Sequence, residues 1–566
     1  MMIRHLALFL SCLVVWLTGC AANDSFSNVE QARPNILFVV VDDMGYADLG
    51  AFGSEIPTPN IDALAYGGIR LTNFRTAPAC SPSRAMLLTG ADAHLAGLGN
   101  MLEEIAPNQE GRAGYEGRLS DRVVTIAELL SGQGYRTYLS GKWHLGSTPE
   151  SLPSARGFDQ TFVLASGGAS HFADMRPAYA PTPDVKASYF ENGQRLATLP
   201  ASFEYSSQYY VDWLVEALGA QIGTSGSADD GQTAPSPFFA MLSFTAPHWP
   251  LQAPDAALAR FKGRYDEGYD AIRQSRFAQQ KSLGVVPKNA VVNNLPGQPW
   301  HALSVRQRKE SARAMETYAA MIHEIDNHTG RLIAYLRQAN LLDNTIVVFL
   351  SDNGAEGHTL DETWPKEMFP KIRATIDAVH NFSYDNIGRP DSYTFYNAQW
   401  ARASSPTTRW HKGFVSEGGL KSSAFVYYPA MLKARIEAAP VFIKDLMPTV
   451  LDLAGLPRVT RQHPSVSGRS IRPVLLDSEF TMPRQVEVLE LFGKIAVVDF
   501  PFKAIRMPAP WQERPEEWAL YNLLEDNLET NDISSTNPKK LNELKAAWRD
   551  YQDRYDVILP DWVSGY

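Results

Sequence analysis

Cysteine is nearly missing from this chain, which has only Cys12, Cys20 and Cys80 among its 566 residues. Three cysteines cannot build a disulfide framework, so that class of small secreted scaffold is excluded. A basic surplus is missing too, because 52 Lys and Arg residues face 62 Asp and Glu residues, for a net charge of -10. Nucleic-acid phosphates require a basic face, so a nucleic-acid partner is excluded, and an anionic substrate would need a local cationic pocket.

The N-terminal segment has the form of a signal peptide. A short basic region precedes the apolar stretch Leu6–Leu17, which is too short and too early for a membrane span. The LTGC that follows resembles the bacterial lipobox, in which cleavage falls before the cysteine and lipid joins its sulfur. We predict a signal peptide over 1–19, a lipid on Cys20 and a polar tether over 20–33, with an unlipidated Cys20 as the alternative.

Lipidation of Cys20 has two consequences. Cys12 would leave with the signal peptide, so Cys80 would have no intramolecular disulfide partner. The protein would be exported to the periplasm and anchored in a membrane by the lipid. Ala21 stands where an aspartate would favour retention in the inner membrane, so we expect the outer membrane.

The rest of the chain alternates helical and strand patterns, in a composition typical of globular proteins (45% hydrophobic, 20% charged). PNILFVVVDDMG (34–45) indicates a buried parallel strand, and TPNIDALAYGGIRLTNF (58–74) indicates an Asn-capped helix followed by a strand. The same order recurs in VTIAELLSGQGYRTYLSGKWHLG (124–146) and in residues 315–354. This alternation predicts an α/β fold, with a large mixed, mostly parallel sheet sandwiched by helices.

The chain is too long for one core, since single cores stop growing at about 250–300 residues. Four strand patterns (EVLELF, KIAVVDF, FKAIRM, WALYNL) and a closing helix (KKLNELKAAWRDYQDRY) predict a small antiparallel sheet with a helix against it. We therefore predict a large domain over 34–460 and a C-terminal subdomain over 461–566. Residues 361–406 lack clear periodicity but carry many aromatics, which favours a functional loop.

Acidic and amide side chains follow two of the predicted strands. VVVDDMG ends in Asp42 and Asp43, and IVVFLSDNG ends in Asp352 and Asn353. Each pair alone is typical of an ordinary turn. Because ligands bind at the carboxyl ends of strands in α/β sheets, the two pairs together predict a site for a hard cation, calcium or magnesium rather than zinc.

TAPACSPSRAMLLTG (76–90) carries the third cysteine at the start of a predicted helix. Pro82 suits the first helical turn, which places the N-terminus at Cys80 or Ser81. Arg84 lies four residues on and shares a helical face with Cys80. A helix N-terminus also attracts anions, so Cys80 is a candidate nucleophile beside an anion site.

This stretch resembles the signature of the type I sulfatases, C-x-P-S-R followed by L-T-G, in which the cysteine is oxidised to formylglycine. Further segments that resemble sulfatases are GKWHLG (141–146), ARGFD (155–159), TAPHWPLQAP (245–254) and WALYNLLEDNLETNDIS (518–534). ADAHLAGLGNM (91–101) is similar to the bacterial arylsulfatase branch. The resemblance spans nearly the whole chain after the tether and implies the alkaline-phosphatase-like fold.

The resemblance also implies a cofactor and a set of site residues. The cofactor is Ca²⁺, with Mg²⁺ less favoured, and its ligands would be Asp42, Asp43, Asp352, Asn353 and the modified Cys80. The side chains assigned to catalysis are Cys80, Arg84, Lys142, His144, His248, Asp352 and Lys412. Arg409 and His411 lie close enough to Lys412 in the sequence to be confused with it.

Formylglycine implies a particular reaction. Water adds to the aldehyde to give a gem-diol, and one hydroxyl, deprotonated with help from Asp352 and the metal, attacks sulfur. Arg84 and the two lysines stabilise charge on the sulfuryl oxygens, and His248 protonates the departing phenol. His144 then takes the proton of the second hydroxyl, so that sulfate leaves and the aldehyde returns.

The expected reaction is therefore hydrolysis of an aryl sulfate ester to a phenol and sulfate, in a protein that needs a formylglycine-generating partner. Alternatives are a sulfatase for glycans or alkyl sulfates, a hydrolase of phosphate or phosphonate esters, and, if Cys80 stays unmodified, a lipoprotein that binds a sulfated ligand. EGGLKSSAF (417–425) departs from the family, which often has I-R or I-K and then proline. The aromatic segment 361–406 is expected to line the substrate mouth.

Overall fold

The computed structural model of the protein describes residues 33–178, 182, 184–225, 236–359, 362, 369–456, 462–512, 514, 517–562 and 564. The predicted signal peptide, Cys20 and nearly all of the tether lie outside these residues. Among the described helices, none combines the length and the apolar composition that a membrane span requires. Pro34–Tyr566 form one compact unit. The domain boundary at residue 460 stays a prediction.

The strands belong to three sheets. They are β1 (Asn35–Val41), β2 (Ile69–Leu71), β3 (Phe74–Arg75), β4 (Arg136–Lys142), β5 (Gln160–Leu164), β6 (Tyr189–Glu191), β7 (Gln194–Arg195), β8 (Phe238–Ser243), β9 (Thr345–Ser351), β10 (Ala424–Tyr427), β11 (Arg435–Glu437), β12 (Val441–Phe442), β13 (Glu487–Leu491), β14 (Lys494–Asp499), β15 (Phe502–Arg506) and β16 (Ala519–Asn522). The largest sheet has ten strands in the order β11-β2-β10-β9-β1-β8-β4-β5-β6-β7. Its central strands β9, β1, β8, β4 and β5 are parallel, and β10, β6 and β7 are joined by antiparallel pairs.

Thirteen α-helices are described, and those in the two largest core clusters cover the two faces of this sheet. The thirteen are α1 (Pro59–Gly67), α2 (Cys80–Thr89), α3 (Ile126–Ser131), α4 (Ser206–Ser225), α5 (Asp255–Arg260), α6 (Tyr269–Leu283), α7 (Val305–Gln338), α8 (Phe369–Val379), α9 (Asn397–Ser404), α10 (Glu417–Leu420), α11 (Leu446–Leu453), α12 (Arg472–Leu476) and α13 (Pro538–Tyr555). Short 3-10 helices lie at Gly50–Phe52, Leu102–Glu104, Pro153–Ala155, Trp300–Ala302, Leu342–Asn344, Tyr384–Asn386 and Ile443–Asp445.

Strand β1 shows why two layers of helices are needed. Its residues are all buried, and successive side chains point to opposite faces of the sheet. Leu37, Val39 and Val41 pack into the core that includes α4 and α7, whereas Ile36, Phe38 and Val40 pack into the core that includes α2, α3 and α11. The mostly parallel sheet between two helical layers confirms the predicted fold class.

The C-terminal sheet confirms the predicted antiparallel arrangement, with strand order β13-β14-β15-β16. One face packs against α13 through Leu544 and Trp548. The other face packs against Phe414 and Val415, which precede α10. This second contact joins the small sheet to the loop that carries Lys412.

Two local features differ from the sequence interpretation. Helix α1 is capped at Thr58, so the predicted asparagine cap is wrong. Asn60 lies inside the first turn, and its side chain donates a hydrogen bond to Asp326 of α7 at 2.8 Å. In the aromatic segment, residues 369–379 and 397–404 are helical, while residues 361 and 363–368 lie outside the described part of the chain.

Candidate active site

The parallel pairing of β1 and β9 brings the two acidic strand ends together. Val41 lies opposite Ser351 in the register, so Asp42 and Asp43 leave the sheet beside Asp352 and Asn353. All four residues are buried. Asn353 Nδ2 donates to Asp43 Oδ1 at 2.7 Å, which links the two strand ends directly.

The ligand atoms of this cluster suit a hard divalent cation. One ligand atom from each of Asp42, Asp43, Cys80 and Asp352 lies within 4.8 Å of the others. Asn353 Oδ1 is buried and has no hydrogen-bond partner in the described part of the chain. Calcium takes six to eight oxygen ligands in flexible geometry, so carboxylate oxygens and an amide oxygen with no donor fit it.

Helix α2 begins at Cys80, as predicted, and directs two side chains at the acids. Cys80 Sγ lies 3.3 Å from Asp42 Oδ1 and 3.5 Å from Asp43 Oδ1. Arg84 Nε donates to Asp352 Oδ2 at 2.8 Å. Burial, and next the Asp42 carboxylate, raise the pKa of the Cys80 thiol well above its usual value of 9.0. An unmodified Cys80 would therefore be a protonated thiol and a poor nucleophile, because the thiolate is the reactive form.

Two lysines complete the charge balance of the cluster. Lys142 Nζ lies 2.6 Å from Asp42 Oδ2, and Lys412 Nζ lies 2.9 Å from Asp43 Oδ2. Arg84 pairs with Asp352 at 2.8 Å and also lies 3.8 Å from Asp42, so each of the three carboxylates has at least one cationic partner. Unpaired buried charges are costly, and the three carboxylates and three cations of the cluster balance one another. A divalent cation and an anionic ester could therefore enter together, because each offsets the charge of the other.

His144 and His248 reach the site from neighbouring segments. His144, two residues after the end of β4, has a left-handed backbone (φ 58°), and its Nε2 lies 3.1 Å from Glu103 Oε1. A carboxylate only accepts, so Nε2 donates, and Nδ1 keeps a lone pair. That Nδ1 is buried without a hydrogen-bond partner among the described residues.

His248 follows β8 and is held from both sides. Its Nδ1 donates to the Trp249 carbonyl oxygen at 2.5 Å, and its Nε2 lies 3.5 Å from Asp43 Oδ2. Burial lowers the pKa of His248 to about 3, although Asp43 opposes the shift. Cys80, His144, His248 and Lys412 all line one small cavity of about 110 Å³.

The family follows from comparison with known proteins. A model of the Sulfatase family matches residues 34–456. This chain belongs to the sulfatase family. The sulfatase is 39% identical over 562 residues to an uncharacterized sulfatase of Schizosaccharomyces pombe, a match that covers 94% of this chain and 96% of the relative. It is 38% identical over 430 residues to an arylsulfatase of Klebsiella aerogenes, covering 75% of this chain and 88% of the relative.

Among solved structures, the sulfatase resembles Ps i-CgsB in complex with k-i-k-neocarrahexaose. The TM-score is 0.63 at 24% sequence identity, over 94% of this chain and 95% of the other. The likeness supports the shared fold. The family and the arylsulfatase relative identify the protein as a sulfuric ester hydrolase.

The structure gathers every predicted site residue of the sulfatase in one place, while their individual roles stay predictions. It also adds residues that the sequence interpretation missed. Glu356 lies 3.3 Å from Lys412 Nζ, which Asp43 also contacts, and accepts hydrogen bonds from His358. Glu103 orients His144. Glu356 lies three residues after Asn353, and this closeness to a predicted ligand was the signal in the sequence that could have placed it in the site.

The aromatic segment of the sulfatase approaches the cavity through Trp249, which lines it. Trp249 lies 4.8 Å from Phe395 and 5.8 Å from Tyr393, measured between ring centroids. Ile372 and Ile376 of α8 belong to the same apolar cluster. The segment therefore supports a cavity wall from behind, and its place at the substrate mouth stays a prediction.

Proposed function

We propose that this sulfatase hydrolyses aryl sulfate esters to a phenol and inorganic sulfate, using formylglycine at position 80 and a bound Ca²⁺. The observation that carries the proposal is the position of Cys80. It lies at the N-terminus of α2 within a C-S-P-S-R sequence, and its Sγ is within 3.5 Å of two carboxylates. The arylsulfatase of Klebsiella aerogenes, 38% identical, supports the aryl class.

Formylglycine and calcium would supply what the other side chains lack. The hydrated aldehyde offers a hydroxyl nucleophile and a second hydroxyl through which the enzyme is regenerated. Bound by Asp42, Asp43, Asp352 and Asn353, Ca²⁺ would act as a Lewis acid on a sulfuryl oxygen.

The chain's own cations would bind the rest of the sulfuryl group. Lys142, Lys412 and Arg84 are fully buried and already fixed against carboxylates, so they need no reorganisation when an anion arrives. Fixed donors in a site that excludes water give the largest electrostatic stabilisation of a developing charge. These three side chains would therefore orient the ester and stabilise its transition state.

The two histidines would divide the proton transfers. His144 has a buried Nδ1 without a partner in the described structure, so it can accept a proton while Glu103 stabilises the resulting imidazolium. His248 is neutral in the free site because its pKa is lowered to about 3. An anionic ester beside its Nε2 would raise that pKa and allow protonation of the leaving oxygen.

Mass spectrometry of the peptide that contains residue 80, from protein purified from its native cell, tests the nucleophile. We expect formylglycine, and an intact thiol would instead favour a lipoprotein that binds a sulfated ligand without cleaving it. Cys80→Ala should abolish turnover and leave the fold intact, so retained activity would refute the assigned nucleophile. The matched control is Cys12→Ala, which removes a cysteine from the predicted signal peptide.

Substrate comparison separates the ester classes. We expect 4-nitrophenyl sulfate to be turned over faster than a sulfated saccharide, an alkyl sulfate or an aryl phosphonate monoester. Faster turnover of the saccharide would move the assignment to glycans, in line with the hexaose complex of Ps i-CgsB. Faster turnover of the phosphonate would reject the sulfate ester as the main substrate.

We also propose that the protein is exported, lipidated on Cys20 and held in the outer membrane, and that a formylglycine-generating enzyme matures it. The LTGC sequence supports the anchor, and C-S-P-S-R supports the maturation partner. Labelling with a fatty-acid analogue should mark the wild type and not Cys20→Ala. Equal labelling of both would reject the anchor.

A further inference from the structure

A second cavity, of about 330 Å³, lies on the side of the fold where β3 meets α10 and the C-terminal sheet. We name it the Arg75 cavity, and its lining includes Arg75, Lys421, Thr407, Val286, Phe500 and Leu523. Its volume is within the range of small-ligand sites, which are mostly apolar with a few placed polar groups. No residue predicted for catalysis or metal binding lines it.

Two cations enter this cavity from one pair of facing residues. Arg75 and Lys421 pair across an antiparallel bridge, so their side chains leave the backbone on the same side. Like charges directly opposite each other are destabilising. An acceptor is therefore expected close to both.

One carboxylate lies there, and it is already used. Glu417 accepts from Arg75 Nε at 3.0 Å and from Arg75 Nη2 at 2.9 Å, and also pairs with Lys503 Nζ at 2.9 Å. Lys503 in turn pairs with Glu529 at 2.8 Å. Among the described residues, Arg75 and Lys503 have these two carboxylates as ion-pair partners and Lys421 has none, so the three cations exceed the acids by one charge.

The donors that remain have no acceptor among the described residues. Arg75 is 2% exposed, and its Nη1 makes no hydrogen bond there. Thr407 is 3% exposed, and its Oγ1 is likewise without a partner. Lys421 is half-buried, and in the described structure its ammonium group contacts only the ring of Tyr46, at 4.7 Å from the centroid. Burial, and to a smaller extent Arg75, lower the pKa of Lys421 to about 8, although Glu417 opposes the shift.

We propose that the Arg75 cavity is a second binding site of this protein, for a monoanion that carries an apolar group. Arg75 Nη1, the Lys421 ammonium and the Thr407 hydroxyl would bind the anionic head, a carboxylate or a sulfate monoester. Val285, Val286, Ile436, Phe500 and Leu523 line the cavity and would contact the apolar group. A bound monoanion neutralises the excess charge and satisfies the donors that now lack acceptors.

The inference goes beyond the proposed sulfatase activity and does not depend on it. It is tested by binding to the full chain in a Cys80→Ala background, where no turnover occurs. Isothermal titration calorimetry with octanoate and with octyl sulfate distinguishes the two head groups, and octanol and acetate test the apolar and anionic parts separately. We expect octanoate or octyl sulfate to bind at least tenfold more tightly than either partial ligand.

Substitution of Lys421 tests whether the anions bind in the Arg75 cavity. Lys421→Met keeps the length of the side chain and removes the charge, so it should weaken binding at least tenfold. Lys433→Met removes a charge from an exposed lysine outside the cavity and should bind like the parent. Thr407→Val removes one neutral donor and should weaken binding by a smaller factor, which provides a test should Lys421→Met fail to fold.

Three results would overturn the proposal. They are absence of binding by both anions, equal binding of octanol, and equal affinity in the parent, Lys421→Met and Thr407→Val proteins. If octyl sulfate bound only at the catalytic cavity, the parent, Lys421→Met and Thr407→Val proteins would bind it with equal affinity. Failure of the sulfatase assignment leaves these binding measurements unaffected.

Discussion

Removal of Glu417 should destabilise the protein strongly, because it separates two cations from their shared acid. Its carboxylate is 6% exposed and is the only acidic ion-pair partner of Arg75 among the described residues. Lys503 keeps Glu529 at 2.8 Å. Breaking a buried pair by removal of one partner costs about 3–5 kcal/mol, so Glu417→Met should lower the free energy of unfolding by about that amount.

A double variant checks the reasoning. Replacing a buried ion pair with apolar side chains is often nearly neutral, so Arg75→Met with Glu417→Met should lose less stability than Glu417→Met alone. Glu310→Met is the control, because it breaks the Arg306–Glu310 pair on an exposed helix face and should cost about 0.5 kcal/mol or less.

Urea denaturation followed by tryptophan fluorescence measures these differences, and pH gives an independent check. Burial alone would raise the pKa of Glu417, but Arg75 and Lys503 hold it well below its ordinary value of 4.5. The ionised Glu417 carboxylate therefore adds to the free energy of unfolding in full above pH 4.5, and this stabilisation is lost as pH falls below that value. A Glu417→Met protein as stable as the wild type at pH 7, or a double variant that loses the sum of both single losses, would refute the reasoning.

Three further predictions concern the site and its surroundings. Lys142→Met and Lys412→Met should each lower kcat/KM for an aryl sulfate by about 10²–10³-fold, whereas Lys433→Met should leave it unchanged, and a loss below tenfold would contradict a sulfate-binding role. Chelation by EGTA should remove activity and Ca²⁺ should restore it better than Mg²⁺; activity that survives complete metal removal, checked by elemental analysis, would reject the metal. Burial raises the pKa of Glu104 to about 8. As pH rises from about 4.5 towards 8, the unfolded chain releases this proton while the folded protein keeps it, so the free energy of unfolding falls. Glu104→Gln removes this loss and should raise the free energy of unfolding at pH 7 by on the order of 2 kcal/mol. A Glu104→Gln protein less stable than the wild type would contradict that value.

The central part of the fold was predictable because its signals are local. The unbroken apolar run before Asp42 predicted β1, and the run before Asp352 predicted β9. Once both were parallel strands of one sheet, geometry placed their acidic ends together. The start of α2 at Cys80 followed in the same way from the position of Pro82.

Features that depend on distant partners were not predictable. Asn60 has the properties of a helix cap, but Asp326, 266 residues away, takes its side chain. Glu103 is an ordinary surface residue by sequence, and only the fold brings it to His144. Ile372 and Ile376 of α8 lie four residues apart, a spacing typical of a helix. The many aromatic residues around them made this spacing hard to recognise in the sequence.

Deep burial of Cys80 has a consequence for the order of events in the cell. The side chain is 1% exposed, and every residue of α2 is buried. An enzyme that converts this cysteine must bind C-S-P-S-R as an accessible segment, before α2 packs. Under the proposed mechanism, maturation would therefore compete in time with folding, and a chain that folded first would keep its thiol and stay inactive. The yield of active protein would then depend on the relative rates of the two processes as well as on expression level.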